Sequence, residues 1–251
     1  MAKDIAEKQG TAISTVTASM FEEDALQENL GAEDLALPFL KVITGMEDYE
    51  TGGKKGDIYN TVTSQVYPGA DGLKIIPCAY QRRFIEWAPR GSGSGAPLNI
   101  FEPGDTMPET RRDENNRDMV VDGEGRYIEE THQHFCLLLN DEGLAENVLI
   151  TMKSTQLKKS RKFNSMIASR VMKGAQGQTF TPPRFSHVYE LKTVAESNSK
   201  GSWHGWEMSV LHTVTDADLY AQAKSFAESI GSGDVTVKHE AEESTEAKHA
   251  F

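Results

Sequence analysis

The sequence predicts an α+β fold that is mainly β, and three observations predict it. Long runs alternate apolar and polar residues with a period of two, Leu73–Ala88 (LKIIPCAYQRRFIEWA) most clearly. Residues 156–172 instead repeat apolar side chains at helical spacing, with Phe163, Met166, Ile167 and Val171 on one face. The order along the chain is strands, a helix, more strands and a last helix, without an internal repeat.

Each element follows from its residues. Residues 1–34 are Ala/Thr/Glu-rich with little apolar mass, and read as a mobile acidic segment with at most a short helix from Glu22 to Leu30. A compact part begins at Leu35-Ala-Leu-Pro-Phe-Leu40. Gly52-Gly-Lys-Lys-Gly56 is a turn, and Asp57–Tyr67 reads as one strand bent at Thr63-Ser64. In Leu73–Ala88, period two places Cys78, Tyr80, Arg82 and Phe84 on one face, and Arg83, Ile85 and Trp87 on the other. Pro77 marks a bulge or an edge position there. Arg90–Pro97 is a flexible Gly/Ser loop, and the acidic stretch 102–125 reads as a long functional or mobile loop. Strands follow at His132–Leu139 and Asn147–Met152. Phe185–Val194 and Ser202–Val214 form a strand pair around the polar turn 197–201. Thr215-Asp-Ala-Asp218 starts the last helix, with Thr215 and Asp218 as a capping pair. Leu219, Phe226 and Ile230 face inward and Gly231 ends it. Residues 232–251 show no core pattern and read as a disordered acidic tail. Five strands around one helix suit a five-stranded barrel spanning 35–231, elaborated by long loops and the C-terminal helix.

Composition narrows the function. At 251 residues the chain is long enough for a real core, and no apolar run spans a membrane. The start MAKDIAEKQG lacks the basic-then-apolar pattern of a secretory leader, so secretion is not expected. Cys78 and Cys136 lie in apolar runs and do not make a disulfide framework, so a reducing cytoplasm is expected. The net charge of −12 argues against a simple basic nucleic-acid binder. Its distribution argues the reverse: residues 151–206 carry ten bases and two acids, or +8, while residues 232–251 carry −3. Between Lys153 and Lys173 there are seven bases and no acid.

Those bases sit near aromatics. Tyr80, Arg82, Arg83, Phe84 and Trp87 share one strand. Lys153, Lys158, Lys159, Arg161 and Lys162 occupy a strand-to-helix junction, and Trp203, His204 and Trp206 a hairpin. Single-stranded nucleic acid is held by such mixtures, cations tracking phosphates while rings stack on bases. The helix start near Gln156 adds free N–H groups for a phosphate. The plain alternative is aromatics in the core and a solvated basic face. Phe163, Phe185 and Trp206 fit the core; Tyr80, Phe84 and Trp203 fit either role.

Other chemistry finds less support. His132, His134, Cys136 and Cys78 offer metal-ligand types without ligand spacing, and no metal or cofactor is expected. Glu190 and Lys192 with Asp113, Glu114 or Asp118 imitate a metal-dependent nuclease. Residues 90–95 lack the Gly-Lys-Ser/Thr ending of a P-loop, and no nucleophile elbow is present, so no catalytic residue is assigned and the chain is read as a non-enzyme. A third reading is a protein-interaction factor that binds a host polymerase.

Several segments resemble a known family: Leu37–Lys41 (LPFLK), Gly56–Thr61 (GDIYNT), Ile76–Gly91, Met152–Arg161 (MKSTQLKKSR), Thr181–Ser186 (TPPRFS) and Lys200–Trp206 (KGSWHGW). They are similar to proteins encoded in the replication regions of tailed bacteriophages and associated with single-stranded DNA binding. The resemblance covers roughly residues 35–230 and is most specific in Lys153–Lys159. The acidic tail ending in Phe251 is similar to the tails of bacterial and phage single-strand binders, which carry an OB fold. There the tail recruits replication and recombination enzymes and competes with DNA. Here Lys248-His249-Ala250 replace the acids or proline that precede the final Phe, a departure that bears on docking more than on electrostatics.

The resemblance and the residues together imply an OB-like barrel that binds single-stranded DNA in phage replication, recombination and repair, inside the infected host cell. Phosphates fall to Lys153, Lys158, Lys159, Arg161, Lys162, Arg82 and Arg83, and bases stack on Tyr80, Phe84 and Trp203. Phe251 would dock a phage DNA polymerase, helicase or recombinase. A homo-oligomer stays open, and the acidic stretch 102–130 has no assigned role.

Overall fold

The structure is a computed structural model that describes residues 34–45, 52–92, 95–140, 143–199, 201–235 and 237. The helix expected at Glu22–Leu30, residues 238–251 and Phe251 lie outside the described residues.

The apolar alternation builds three long strands that pair as an antiparallel meander: β4 (Leu73–Trp87), β8 (Tyr127–Leu139) and β9 (Ala145–Lys153). Thr131 to Leu138 of β8 are all buried, so this strand is covered on both faces. After β9 the chain forms a 3₁₀ turn (Ser154–Gln156) and helix α1 (Leu157–Ala168). A hairpin of β12 (His187–Asn198) and β13 (Gly201–Thr213) follows, and β12 returns to pair antiparallel with β4. Helix α2 (Ala217–Ser232) is the last helix among the described residues.

Short strands extend the sheet. β1 (Phe39–Val42) pairs parallel with β9 and antiparallel with β2 (Ile58–Asn60), which pairs with β3 (Val66–Tyr67). β5 (Asn99–Phe101) adds to β4, and the hairpin of β6 (Thr110–Arg112) and β7 (Asp118–Val120) adds to the start of β8. A separate small hairpin joins β10 (Met172–Lys173) and β11 (Thr179–Phe180).

The sheet curls strongly into a half-barrel. Its two ends meet where the Thr193 amide donates to the Gly69 carbonyl (2.9 Å) and the Thr193 hydroxyl donates to the Gly56 carbonyl. Gly69 is required here: a Cβ on it would stand 2.0 Å from the Gly56 carbonyl oxygen. The concave face buries Leu40, Ile58, Ile75, Val148, Ile150, Tyr189, Leu191 and Trp206, and α1 adds Phe163 and Ile167. The convex face buries Ile76, Cys78, Phe135, Leu137, Leu149 and Val188 beneath Phe226 and Ile230 of α2.

Five local expectations change. Asp57–Tyr67 is a hairpin, not one bent strand, because Asn60 accepts from the Val62 and Thr63 amides and Ser64 turns at φ 58°. The acidic stretch 102–125 is not one loop; it contains the β6–β7 hairpin. Pro77 does mark a bulge, and it lies in an interior strand: Pro77 faces Cys136 and Ala79 faces Phe135, leaving Cys78 as the extra residue. The extra residue resets the alternation. Cys78 and Ala79 both point to the convex face, and Tyr80 points to the concave one, away from Cys78. Helix α1 stops at Ala168, so Val171 is 64% exposed, outside the helix and off its buried face. The cap of α2 is Asp216 rather than Thr215; its carboxylate accepts from the Asp218 and Leu219 amides, and Gly233 rather than Gly231 ends the helix at φ 83°. Beyond it Val235 and Val237 still pack on the convex core.

Candidate nucleic-acid interface

The end of β9 and the start of α1 set the site. Ser154 takes φ 50°, a left-handed value unusual for a residue with a side chain, and turns the strand into the helix. Neither the 3₁₀ turn nor α1 has a side-chain cap, and no acid sits in the first turn. The helix start therefore keeps its partial positive charge uncompensated. Gln156 ties it down: its side-chain carbonyl accepts from the Trp206 amide at 3.0 Å. Burial of Ser160, Phe163 and Ile167 leaves Lys158, Arg161 and Lys162 exposed.

Lys158 and Arg161 border a cleft of about 540 Å³. Ser154, Thr155, Leu157, Lys158 and Arg161 form one wall, Glu196, Ser197, Asn198 and Trp203 at the β12–β13 turn the second, and Arg112 with Glu130 the third. Of the residues expected to bind DNA, Lys158, Arg161 and Trp203 thus meet in one cleft. Arg82 is next to it. Its Nε and an Arg161 Nη both reach Oε1 of Glu130, at 2.9 and 3.5 Å, and its guanidinium lies 4.7 Å over the Phe84 ring.

The others are placed differently. Lys159 pairs with Glu196 at 2.7 Å, and the Trp203 indole N–H donates to the same carboxylate at 3.0 Å. The Lys159 hydrogen bond, helped by Trp203, holds Glu196 below the usual carboxylate range. Lys153 pairs with Glu129 at 3.1 Å. Lys162 borders a separate hollow beside Trp206 and Glu207. Arg83, one residue from Arg82 and so on the other sheet face, pairs with Glu102 at 2.9 Å. Tyr80 is half-buried in the concave face, its ring centroid 5.4 Å from His132 and 5.1 Å from His134, with the Arg184 guanidinium 5.5 Å away.

Beneath the cleft runs a buried polar chain that sequence reading missed. Ser160 of α1 meets His132 Nδ1 and His134 Nε2, each at 2.7 Å, and His132 Nε2 meets Glu130 at 2.9 Å. One assignment satisfies all three contacts with neutral rings: His132 Nε2–H donates to Glu130, the Ser160 hydroxyl donates to His132 Nδ1, and His134 Nε2–H donates to Ser160. Burial pushes both imidazoles below their ordinary value, His134 far below, with Glu130 partly offsetting the effect on His132. Burial also pushes the Cys78 thiol up to about 12 and the Cys136 thiol well up, so neither is a reactive thiolate at neutral pH. Ser160 carried a usable signal, since 160, 163 and 167 share a helical face. Glu130, Glu196 and Arg112 carried none, because their role depends on strand register.

Among the described residues no group of three metal-ligating side chains gathers. The nuclease triple is not brought together. Glu190 faces Lys74 at one end of β4, while Asp118 faces Ile128, which faces Glu86 at the other. That interval is about 40 Å of strand. Asp118 instead holds Arg112, and Glu190 holds Lys192. No helix among the described residues is long and apolar enough to cross a membrane.

The model of the family described as Pam3 phage gp34-like protein matches residues 7–236. No curated protein and no solved structure matches the chain.

Proposed function

The chain belongs to the Pam3 phage gp34-like protein family, and from that phage origin we propose that it binds single-stranded DNA without sequence preference. Its place is phage replication, recombination and repair in the cytoplasm of the infected bacterium. The observation that carries the reading is the cleft in which Lys158 and Arg161, the uncapped start of α1 and the Trp203 ring come together from separate segments. Cations and a helix start suit phosphate, and an indole held by Glu196 suits a base.

The connectivity supports it. A meander of three strands, a helix, then a hairpin whose first strand returns to the first of the meander fits the strand order of an OB barrel. β1, β2 and β3 continue the sheet beyond β9, and α1 contacts both β9 and β13. OB barrels take oligonucleotides over their second and third strands and between the loops joining strands 1–2 and 4–5. Here the corresponding parts are β8 and β9, residues 88–126 and the β12–β13 turn, and the cleft lies among them. The acidic tail beyond Val237 competes for the same cations and recruits a phage polymerase, helicase or recombinase through Phe251.

A gel shift with a labelled oligonucleotide, run against the same sequence as duplex and over a salt series, tests the proposal. Preference for the single strand with affinity falling as salt rises is expected. Equal affinity for duplex, or no salt dependence, refutes it. Parallel incubation with Mg²⁺ or Mn²⁺ tests the nuclease alternative: the oligonucleotide stays intact on this reading. Capture of a host polymerase without any DNA affinity would favour the interaction-factor reading instead.

A further inference from the structure

We infer that Arg112, in the β6–β7 hairpin, is a phosphate ligand of this cleft and that Asp118 holds its guanidinium fork for that purpose. The inference rests on the single-strand reading above and adds a residue and a wall to it. By sequence the hairpin belongs to the most acidic part of the chain, residues 102–130, with ten acids and four bases. Taken alone, residues 110–120 are balanced, with Arg111, Arg112 and Arg117 against Asp113, Glu114 and Asp118. What the hairpin presents to the cleft is a cation, Arg112.

The geometry is that of an oriented fork. Arg112 Nε donates to Asp118 Oδ1 at 3.0 Å and Nη2 donates to Oδ2 at 3.1 Å. Both bonds use one edge of the guanidinium. The other edge, with both Nη1 hydrogens and the second Nη2 hydrogen, stays open, and the side chain is 62% exposed. A planar fork held on one edge presents the opposite edge for two parallel hydrogen bonds to a phosphate. Asp118 itself is fixed by its strand, since Asp118 faces Ile128 of β8. Of the hairpin's other acids, Asp113 accepts from the Asn115 and Arg117 amides within the turn. Arg112 thus faces Lys158 and Arg161 across the cleft, and a phosphate between them meets donors from two walls.

The test uses the full chain and a labelled oligonucleotide, with melting curves as a folding check. Arg112→Ala is expected to weaken binding about fivefold to tenfold, the loss of one exposed charge-assisted pair of hydrogen bonds. Arg112→Lys keeps the charge and loses the fork, so its affinity should fall nearer to the Ala variant than to the parent. Lys158→Ala serves as the reference for the cleft. If Lys158→Ala weakens binding and Arg112→Ala does not, the inference fails while the functional reading stands. If Arg112→Lys binds like the parent, Arg112 contributes charge only and the oriented fork is wrong. If the parent itself shows no preference for single-stranded DNA, the functional reading fails and this inference with it.

Discussion

Replacing Ser160 by Ala removes one hydroxyl from a residue that is wholly buried. Two imidazole nitrogens lose their partner, His132 Nδ1 and His134 Nε2, each now 2.7 Å from that hydroxyl. His132 is 2% exposed and His134 0%, so water does not replace the hydroxyl without opening the helix–sheet contact. Each orphaned buried group costs about 1–3 kcal/mol, so the pair costs about 2–6 kcal/mol. For a domain of this size, each kcal/mol moves the melting point by about 2–4 °C, which predicts a fall of roughly 4–24 °C. Thermal denaturation followed by circular dichroism reads it. Ser165→Ala on the exposed side of α1 is the control, expected within about 0.5 kcal/mol of the parent. A Ser160→Ala variant melting within about 2 °C of the parent would refute the chain of hydrogen bonds. The consequence reaches the cleft, because α1 carries Lys158 and Arg161 as well as Ser160.

Three further outcomes follow from the same structure. His132 and His134 are held neutral by burial, below the ordinary 6.5, so the unfolded chain takes up their protons first. Stability is then complete above about pH 6.5 and falls as pH drops below it; a melting point that stays flat or rises from about pH 7.5 to 5.5 would contradict this, and His134→Leu should flatten the slope. Asp216→Ala should cost about 1 kcal/mol in a urea titration while Thr215→Ala costs little, since Asp216 accepts both first-turn amides. Truncation after Val237 should keep the melting point and tighten oligonucleotide binding at low salt. Truncation after Gly231 should lower the melting point, because it removes Ser232 from α2 and Val235 and Val237 from the convex core.

What was legible follows from what is local. The long strands and both helices could be read because their apolar spacing is a property of neighbours in sequence. What failed depended on pairing across the sheet. Pro77 announced a bulge, but only the partner strand shows that Cys78 is the extra residue, and that single insertion moves Tyr80 beside His132 and His134. Thr215 and Asp216 are adjacent residues of good capping type, and only the folded chain decides which side chain reaches the amides.

The same limit applies to charge. The run Lys153–Lys173 looks like seven free cations because no acid is near in sequence. Folding brings acids in from β8, β12 and the segment after β5. Lys153 meets Glu129, Lys159 meets Glu196, Arg161 and Arg82 meet Glu130, and Arg83 meets Glu102. Of the seven cations first expected to hold phosphate, only Lys158 and Lys162 make no ion pair among the described residues. A paired cation that turns to a phosphate returns a carboxylate to solution, and that carboxylate takes up a counterion. Net ion release therefore comes mainly from the unpaired cations. Seven free contacts would give a log–log salt slope of about −5, whereas two give about −1.4. A measured slope near the smaller value, with Glu130→Gln making it steeper, is the signature of a cleft whose cations are held by resident carboxylates. A slope near −5 in the unmodified chain would mean that these ion pairs do not persist in solution.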